Sequence, residues 1–359
     1  SNSFDAGANN VHILLAPSLH DPDATIVIID DGEGMDGDGL KKHWIIGEST
    51  RRKASGSLRR KPIGKFGIGK LSTYVLATKL THISKSGDTY YAATMDYSSL
   101  TGNATDTSEG VFDEQVIGMP LRTLTMDEAK EAIQPWIRGD KEGYQALKLF
   151  GDGASESWTV AIMSDLKKFG QTISLGRLKW VLRTAMPQQS DFRLFLDGDP
   201  IMPPEMDPPL TKLVIGTDVI QMSPPCPAVL TAREDTSESE DSIHRYGVYH
   251  EELLGRITGY IEVFKDDLDG GKEKFEQNSG FFVYVRGRLV NVDDPGFGIE
   301  RNLLRHGTFS RFRMIVHIDS LDDALRSSRE SFQQGDLYTT VQNFLRAGFN
   351  LARNKLVEH

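Results

Sequence analysis

The stretch Ile26–Leu40, IVIIDDGEGMDGDGL, sets a run of branched apolar residues directly against two carboxylates, Asp30 and Asp31, and then against glycines. Such a run reads as a buried β-strand, and the acid and glycine cluster as the turn that ends it. Val11–Leu15 reads as a second strand, separated from the first by a Pro/Asp/His turn. The strand Thr25–Ile29 therefore delivers paired acids onto a turn with little stiffness of its own.

Outward from this stretch the chain reads as a mixed α/β protein. Gly39–Ile46 is short and amphipathic, and the basic, glycine-rich GESTRRKASGSLRRKPIGKFGIGK that follows has no periodicity and reads as a loop. Lys70–Leu80 has helical spacing. Strands are expected at Thr81–Ser84, Tyr90–Asp96 and SWTVAIMSDL, helices near Thr125–Trp136 and Leu175–Ala185, and a strand and turn in DFRLFLDGDPI. The acidic, serine-rich Arg233–Ser242 reads as a solvated loop. Beyond it RITGYIEVF, GFFVYVRGRLV and RFRMIVHID read as strands, and a terminal helix starts near Gly335. Proline-rich Pro200–Pro209 divides the chain into domains of residues 1–204 and 205–359.

Composition limits the function classes. The 359 residues carry a net charge of −10, which disfavours an overall nucleic-acid sheath, although the basic loop is a local exception. No run is apolar for the roughly 18 residues that a membrane span needs. One cysteine, Cys226, suits a reducing, cytoplasmic setting. The opening SNSFDAGANN lacks an initiating methionine and reads as the end of a helix, so the native protein is expected to begin upstream.

Three phosphate-site patterns compete. GEGMDG satisfies G-x-G-x-x-G, but Asp30, Asp31, Glu33 and Asp36 crowd the place where a pyrophosphate would sit, and like charges there repel by about 1 kcal/mol or more per pair. GKFGIGKLS, Gly64–Ser72, approaches a P-loop, but Leu71 occupies the hydroxyl position. The third pattern uses all of these residues together. A carboxylate at a strand end accepts a hydrogen bond from an amino group such as that of adenine, worth about 1.5–3 kcal/mol when buried. Adjacent glycines let backbone approach the flat base. Gly64, Gly67 and Gly69 present amides to phosphates at a helix N-terminus, and Asn2 offers a neutral oxygen to magnesium.

NSFDA, then DDGEGM, then IGKFGIGKLSTYVLATKLTHISKS resembles the three nucleotide motifs of the GHKL ATPases, the superfamily of gyrase, heat-shock-90 chaperones, histidine kinases and MutL, and is nearest the heat-shock-90 version. The resemblance implies a Bergerat-fold, two-layer ATP-binding sandwich followed by a ribosomal-S5-like transducer domain. It makes Asn2 the magnesium ligand, Asp5 a residue near the adenine waters and Asp30 the adenine reader, with Gly32, Gly34 and Met35 lining the base. Gly64, Lys65, Phe66, Gly67, Ile68, Gly69 and Lys70 become the phosphate loop. Lys53 is the best of the loop bases to neutralise the γ-phosphate. Thr159 matches the threonine of a Gly-Thr pair whose glycine is Trp158 here.

HIDSLDDALRSSRESFQ is similar to the heat-shock-90 middle-domain stretch, which makes Arg329 and Gln333 γ-phosphate contacts. In that family the glutamate that activates water lies one turn before the magnesium asparagine, so either it lies upstream of Ser1 or this version binds ATP without efficient hydrolysis; Glu33 is a poor substitute and Glu48 a remote one. The function implied is an ATP- and Mg2+-dependent clamp that closes as a homodimer on a protein client or effector, chaperone-like or regulatory in role. The alternatives are a DNA-linked clamp of the MutL or microrchidia kind, supported by the basic loop, and a nucleotide-sensing scaffold without turnover.

Overall fold

In the computed structural model, the residues described are 2–44, 72–98, 119–137, 141–184, 191–202, 206–219, 222, 231–235, 244–249, 253–268, 278–304, 307–323 and 335–358. The chain divides into two compact units, Ser1–Lys179 with Gln188–Met202, and Trp180–Pro187 with Pro203–His359. Among the described residues, no helix is long and apolar enough to cross a membrane.

The first unit is built on an eight-stranded sheet. Its strands are β1 (Asn10–Leu15), β2 (Ile26–Asp30), β3 (Ala77–Ser86), β4 (Thr89–Asp96), β5 (Leu121–Leu124), β6 (Ser157–Leu166), β7 (Arg193–Leu196) and β8 (Asp199–Pro200). They lie in the order β5-β4-β3-β6-β2-β1-β7-β8, antiparallel except for the β1·β7 pair. The helices are α1 (Asn2–Asp5), α2 (Gly37–His43), α3 (Thr73–Leu76), α4 (Met126–Ile133), α5 (Glu142–Ala146), α6 (Lys168–Gln171) and α7 (Leu175–Thr184), whose second half belongs to the other unit.

Central β2 is apolar on both sides because both of its faces are covered. Val27 and Ile29 pack with Leu14, Ile83, Trp158 and Val160 under Ala129 and Ile133 of α4. Ile26 joins Leu80, Met95 and Met163 on the opposite face, and alternation puts Ile28 and Asp30 on that face too. Trp158 is fully buried on the α4 side and donates its indole N–H to the Leu149 carbonyl at 3.0 Å. The position where the resemblance has glycine thus holds a core side chain directed away from Asp30.

Two expectations are corrected. The helical spacing of Lys70–Leu80 predicts a helix to Leu80, but α3 ends at Leu76 and β3 begins at Ala77. Residues 77–86 pair with both β4 and β6, and a central strand hydrogen-bonded on both sides outweighs local helical periodicity. Arg233, Glu234 and Asp235, read as loop, lie in β10 (Thr231–Asp235), after β9 (Thr211–Val214); charged residues are compatible with a strand at the edge of a sheet.

The second unit continues with β11 (His244–Val248), β12 (Arg256–Val263), β13 (Gly280–Val285), β14 (Arg288–Leu289), β15 (Phe312–His317) and helix α8 (Asp336–Val357). The sheet order is β10-β11-β12-β15-β13-β14, with β9 also paired to β12, and β13·β15 is the parallel pair. Phe344, Leu345 and Phe349 of α8 pack with Ile261, Phe281, Val283, Phe312 and Met314. At Gly348 a Cβ would lie 2.6 Å from Met314 Sδ, so a side chain there would have to displace the end of the Met314 side chain. Trp180 joins Phe282, Leu289 and Ile315 in a separate cluster.

Candidate functional site

Asp30 ends β2 on the open-turn side, and cross-strand register places it opposite Val11 of β1 and Thr159 of β6, with Ser84 of β3 opposite Thr159. Directly opposed residues in a sheet share a face, so Asp30, Thr159 and Ser84 form one polar row across three strands. Ser84 is fully buried and Asp30 half-buried.

Both Asp30 oxygens are engaged: Oδ2 accepts from Ser3 Oγ at 2.8 Å and Oδ1 from the Gly32 amide at 3.1 Å. Asp31 points elsewhere. Its Oδ1 accepts from the Asn9 and Asn10 amides at 2.7 and 2.8 Å, and its Oδ2 from Asn10 Nδ2 at 2.6 Å. Adjacent acids therefore divide the work. Asp31 pins the start of β1, and Asp30 stays with the polar row.

The turn after Asp31 is held from three elements. The Glu33 amide donates to the Ala6 carbonyl at 3.0 Å, the Met35 amide to Ser84 Oγ at 2.8 Å, and Ser157 Oγ to the Gly32 carbonyl at 2.7 Å. Ser84 Oγ in turn donates to the Trp158 carbonyl at 3.0 Å and lies 3.3 Å from Thr159 Oγ1. The glycines serve this packing. Gly34 has φ +65° and a Cβ there would collide with the Lys85 carbonyl, while a Cβ on Gly32 would lie 2.9 Å from Ala6 and from Asp30 Oδ1. At both positions a Cβ would meet the protein's own atoms, so the turn itself requires glycine there.

Asn2 and Asp5 share α1 with Ser3, and α1 is anchored by buried Phe4, edge-on to Phe192 at 5.2 Å. The Ser3 hydrogen bond brings this helix to Asp30. Met35 leads into α2, whose N-cap Asp36 accepts from the Gly39 amide at 2.7 Å. Lys53, Gly64, Lys65, Phe66, Gly67, Ile68, Gly69, Lys70, Arg329 and Gln333 lie outside the described residues. The structure thus brings Asp30, Gly32, Gly34, Met35, Thr159 and the α1 residues together.

Sequence reasoning missed Ser3, Ser84 and Ser157. Ser3 was legible as the hydroxyl inside NSFDA; Ser84 and Ser157 acquire their roles only from the β3·β6 register.

Two buried histidines flank the site on opposite faces. His12 pairs with Ile29, stacks on Phe195 at 4.5 Å between ring centroids, and has both nitrogens enclosed without a hydrogen-bond partner. Burial lowers its pKa to about 4, opposed by the charge of Asp31 and reinforced by Arg193. His82 is on the Asp30 face, beside His43 and Trp44, and burial with the His43 charge lowers it to about 3. Among the described residues, no three His, Cys, Asp or Glu side chains converge as a metal site.

No curated protein matches the chain. Residues 1–117, which contain α1, the Asp30 turn and β3 and β4, match the family described as histidine kinase-, DNA gyrase B-, and HSP90-like ATPase, which supports an ATP-binding ATPase domain of the GHKL superfamily over that segment.

Proposed function

We propose that the first unit binds ATP with magnesium, and that the protein is an ATPase of heat-shock-90 type working as a nucleotide-driven dimeric clamp on a protein partner. One observation carries the nucleotide reading: Asp30, fixed by Ser3 and the Gly32 amide, stands with Thr159 and Ser84 in a polar row at the end of the central strand. In this reading Asp30 accepts from the adenine amino group, Met35 and the turn border the base, and Asn2 offers its amide oxygen to the cation. With no all-protein metal cluster among the described residues, Asn2, the phosphates and water would complete the magnesium shell. Bound ATP and Mg2+ supply the phosphoanhydride and the charge neutralisation. The resemblance supports the Gly64–Lys70 loop, Lys53, Arg329 and Gln333 as phosphate contacts. Clamp closure requires ATP to bind the closed state more tightly than the open one.

Titration calorimetry with ATP and magnesium, beside a phosphate-release assay, tests the proposal. Saturable binding that weakens on chelation of magnesium is expected. No binding of any adenine nucleotide overturns the reading. The net charge of −10 favours a protein partner. Duplex-DNA binding whose affinity falls steeply with salt would instead support the DNA-linked clamp.

A further inference from the structure

One row below Asp30, Thr159 and Ser84, the same sheet face carries Ile28, Ala161, His82 and Ala93 in register. His82 is 6 % exposed, and its Nδ1 is enclosed with no hydrogen-bond partner. An unbonded imidazole nitrogen in the interior is costly, and a polar partner recovers that cost. The residues directly opposite His82 on both neighbouring strands are alanines, Ala93 and Ala161, which put little side-chain bulk beside the ring. His43 and Trp44 approach it edge-on, at 5.1 and 5.7 Å between ring centroids. Ala161, between His82 and Ile28, is only partly buried, so the floor of the face is thin beside the imidazole. Burial keeps the ring neutral, with a pKa lowered to about 3, and a neutral imidazole both donates and accepts.

Resting on the ATP-binding reading above, we propose that His82 is a specificity-determining residue of the base pocket, hydrogen-bonding the edge of the purine directly or through one water. Asp30 would then anchor one polar group of the base and His82 a second, from adjacent rows of one sheet face.

The test compares wild type, His82→Val, His82→Gln and Asp30→Asn by calorimetry. The probes are ATP, 7-deaza-ATP, which lacks the N7 acceptor, and purine riboside triphosphate, which lacks the 6-amino group. His82→Val is expected to bind ATP about tenfold more weakly, the equivalent of one lost hydrogen bond. The discrimination against one of the two analogues should shrink by a similar factor, and His82→Gln should restore part of it. A role in packing alone would weaken all three ligands equally. Unchanged analogue ranking in both His82 variants, with Asp30→Asn still losing affinity, overturns the proposal and leaves ATP binding standing. Failure of wild type to bind any of the three overturns both. If circular dichroism shows His82→Val unfolded, the ranking in His82→Gln decides.

Discussion

At the scale of single residues, adjacent acids have unlike environments. Asp31 accepts from three donors of Asn9 and Asn10 at the start of β1, whereas Asp30 accepts from Ser3 and the Gly32 amide and lies in the row shared with Thr159. Asp30→Asn is expected to reduce ATP affinity by roughly 10- to 100-fold, the loss of a charge-assisted hydrogen bond. Asp31→Asn should change affinity little but lower stability by about 1–2 kcal/mol, since the new amide nitrogen cannot accept from backbone N–H groups. Equal effects on affinity would dissolve the division of roles. His12 makes a pH prediction. Its pKa is about 4 folded against 6.5 unfolded, so between those values the unfolded chain binds more protons and stability falls as pH falls. The loss begins near pH 6.5, is complete near pH 4, and is on the order of 3 kcal/mol at most. His82 titrates in the same direction. Urea unfolding at several pH values should therefore give a shallower acid slope for His12→Phe than for wild type, and an unchanged slope would refute this.

At the scale of elements, the turn between β2 and α2 depends on its glycine conformation. Gly34→Ala is expected to cost roughly 3 kcal/mol or more, because a left-handed conformation and a collision with the Lys85 carbonyl act together. Thermal unfolding would measure it, and a change in melting temperature of under a degree would show that the turn relaxes freely. Helix α4 illustrates a local signal that tertiary structure leaves intact. Thr125 Oγ1 accepts from the Glu128 amide, and the Thr125 amide donates to Glu128 Oε2, a capping box readable from T-x-x-E. Backbone and side-chain bonds to Thr125 hold the Glu128 carboxyl below its ordinary pKa. Thr125→Ala should cost about 1 kcal/mol, measured by denaturant titration. The opposite case is β3, whose helical spacing lost to pairing on both sides.

At the scale of the whole molecule, the second unit includes a piece of chain from before the proline-rich boundary. Trp180 is buried with Phe282, Leu289 and Ile315, and the Tyr284 hydroxyl donates to the Thr184 carbonyl at 2.7 Å. Burial also raises the Tyr284 pKa to about 12. Trp180→Ala is expected to destabilise the second unit by about 3–5 kcal/mol. Hydrogen exchange should then accelerate in β13 and β15 and stay unchanged in β2 and β6. Acceleration confined to β2 and β6 would contradict the division.

What the amino-acid order by itself determined is local. The apolar run into Asp30, the glycines of the turn, the cap of α4 and the alternation in RITGYIEVF each depend on near neighbours along the chain, so periodicity and turn chemistry expose them. NSFDA, DDGEGM and the glycine-rich loop also carried enough chemistry to point to a nucleotide. Register was decided only in three dimensions. Whether Ser84 meets Met35, whether Asp30 shares a row with Thr159, and which way Trp158 faces all depend on strands brought together from separations of dozens of residues. A one-residue slip would reverse every such face, and the buried clusters on both sides of the first sheet exclude that slip. Local propensity does not encode this constraint, which explains why Ser84, Ser157 and His82 became visible only with the sheet assembled.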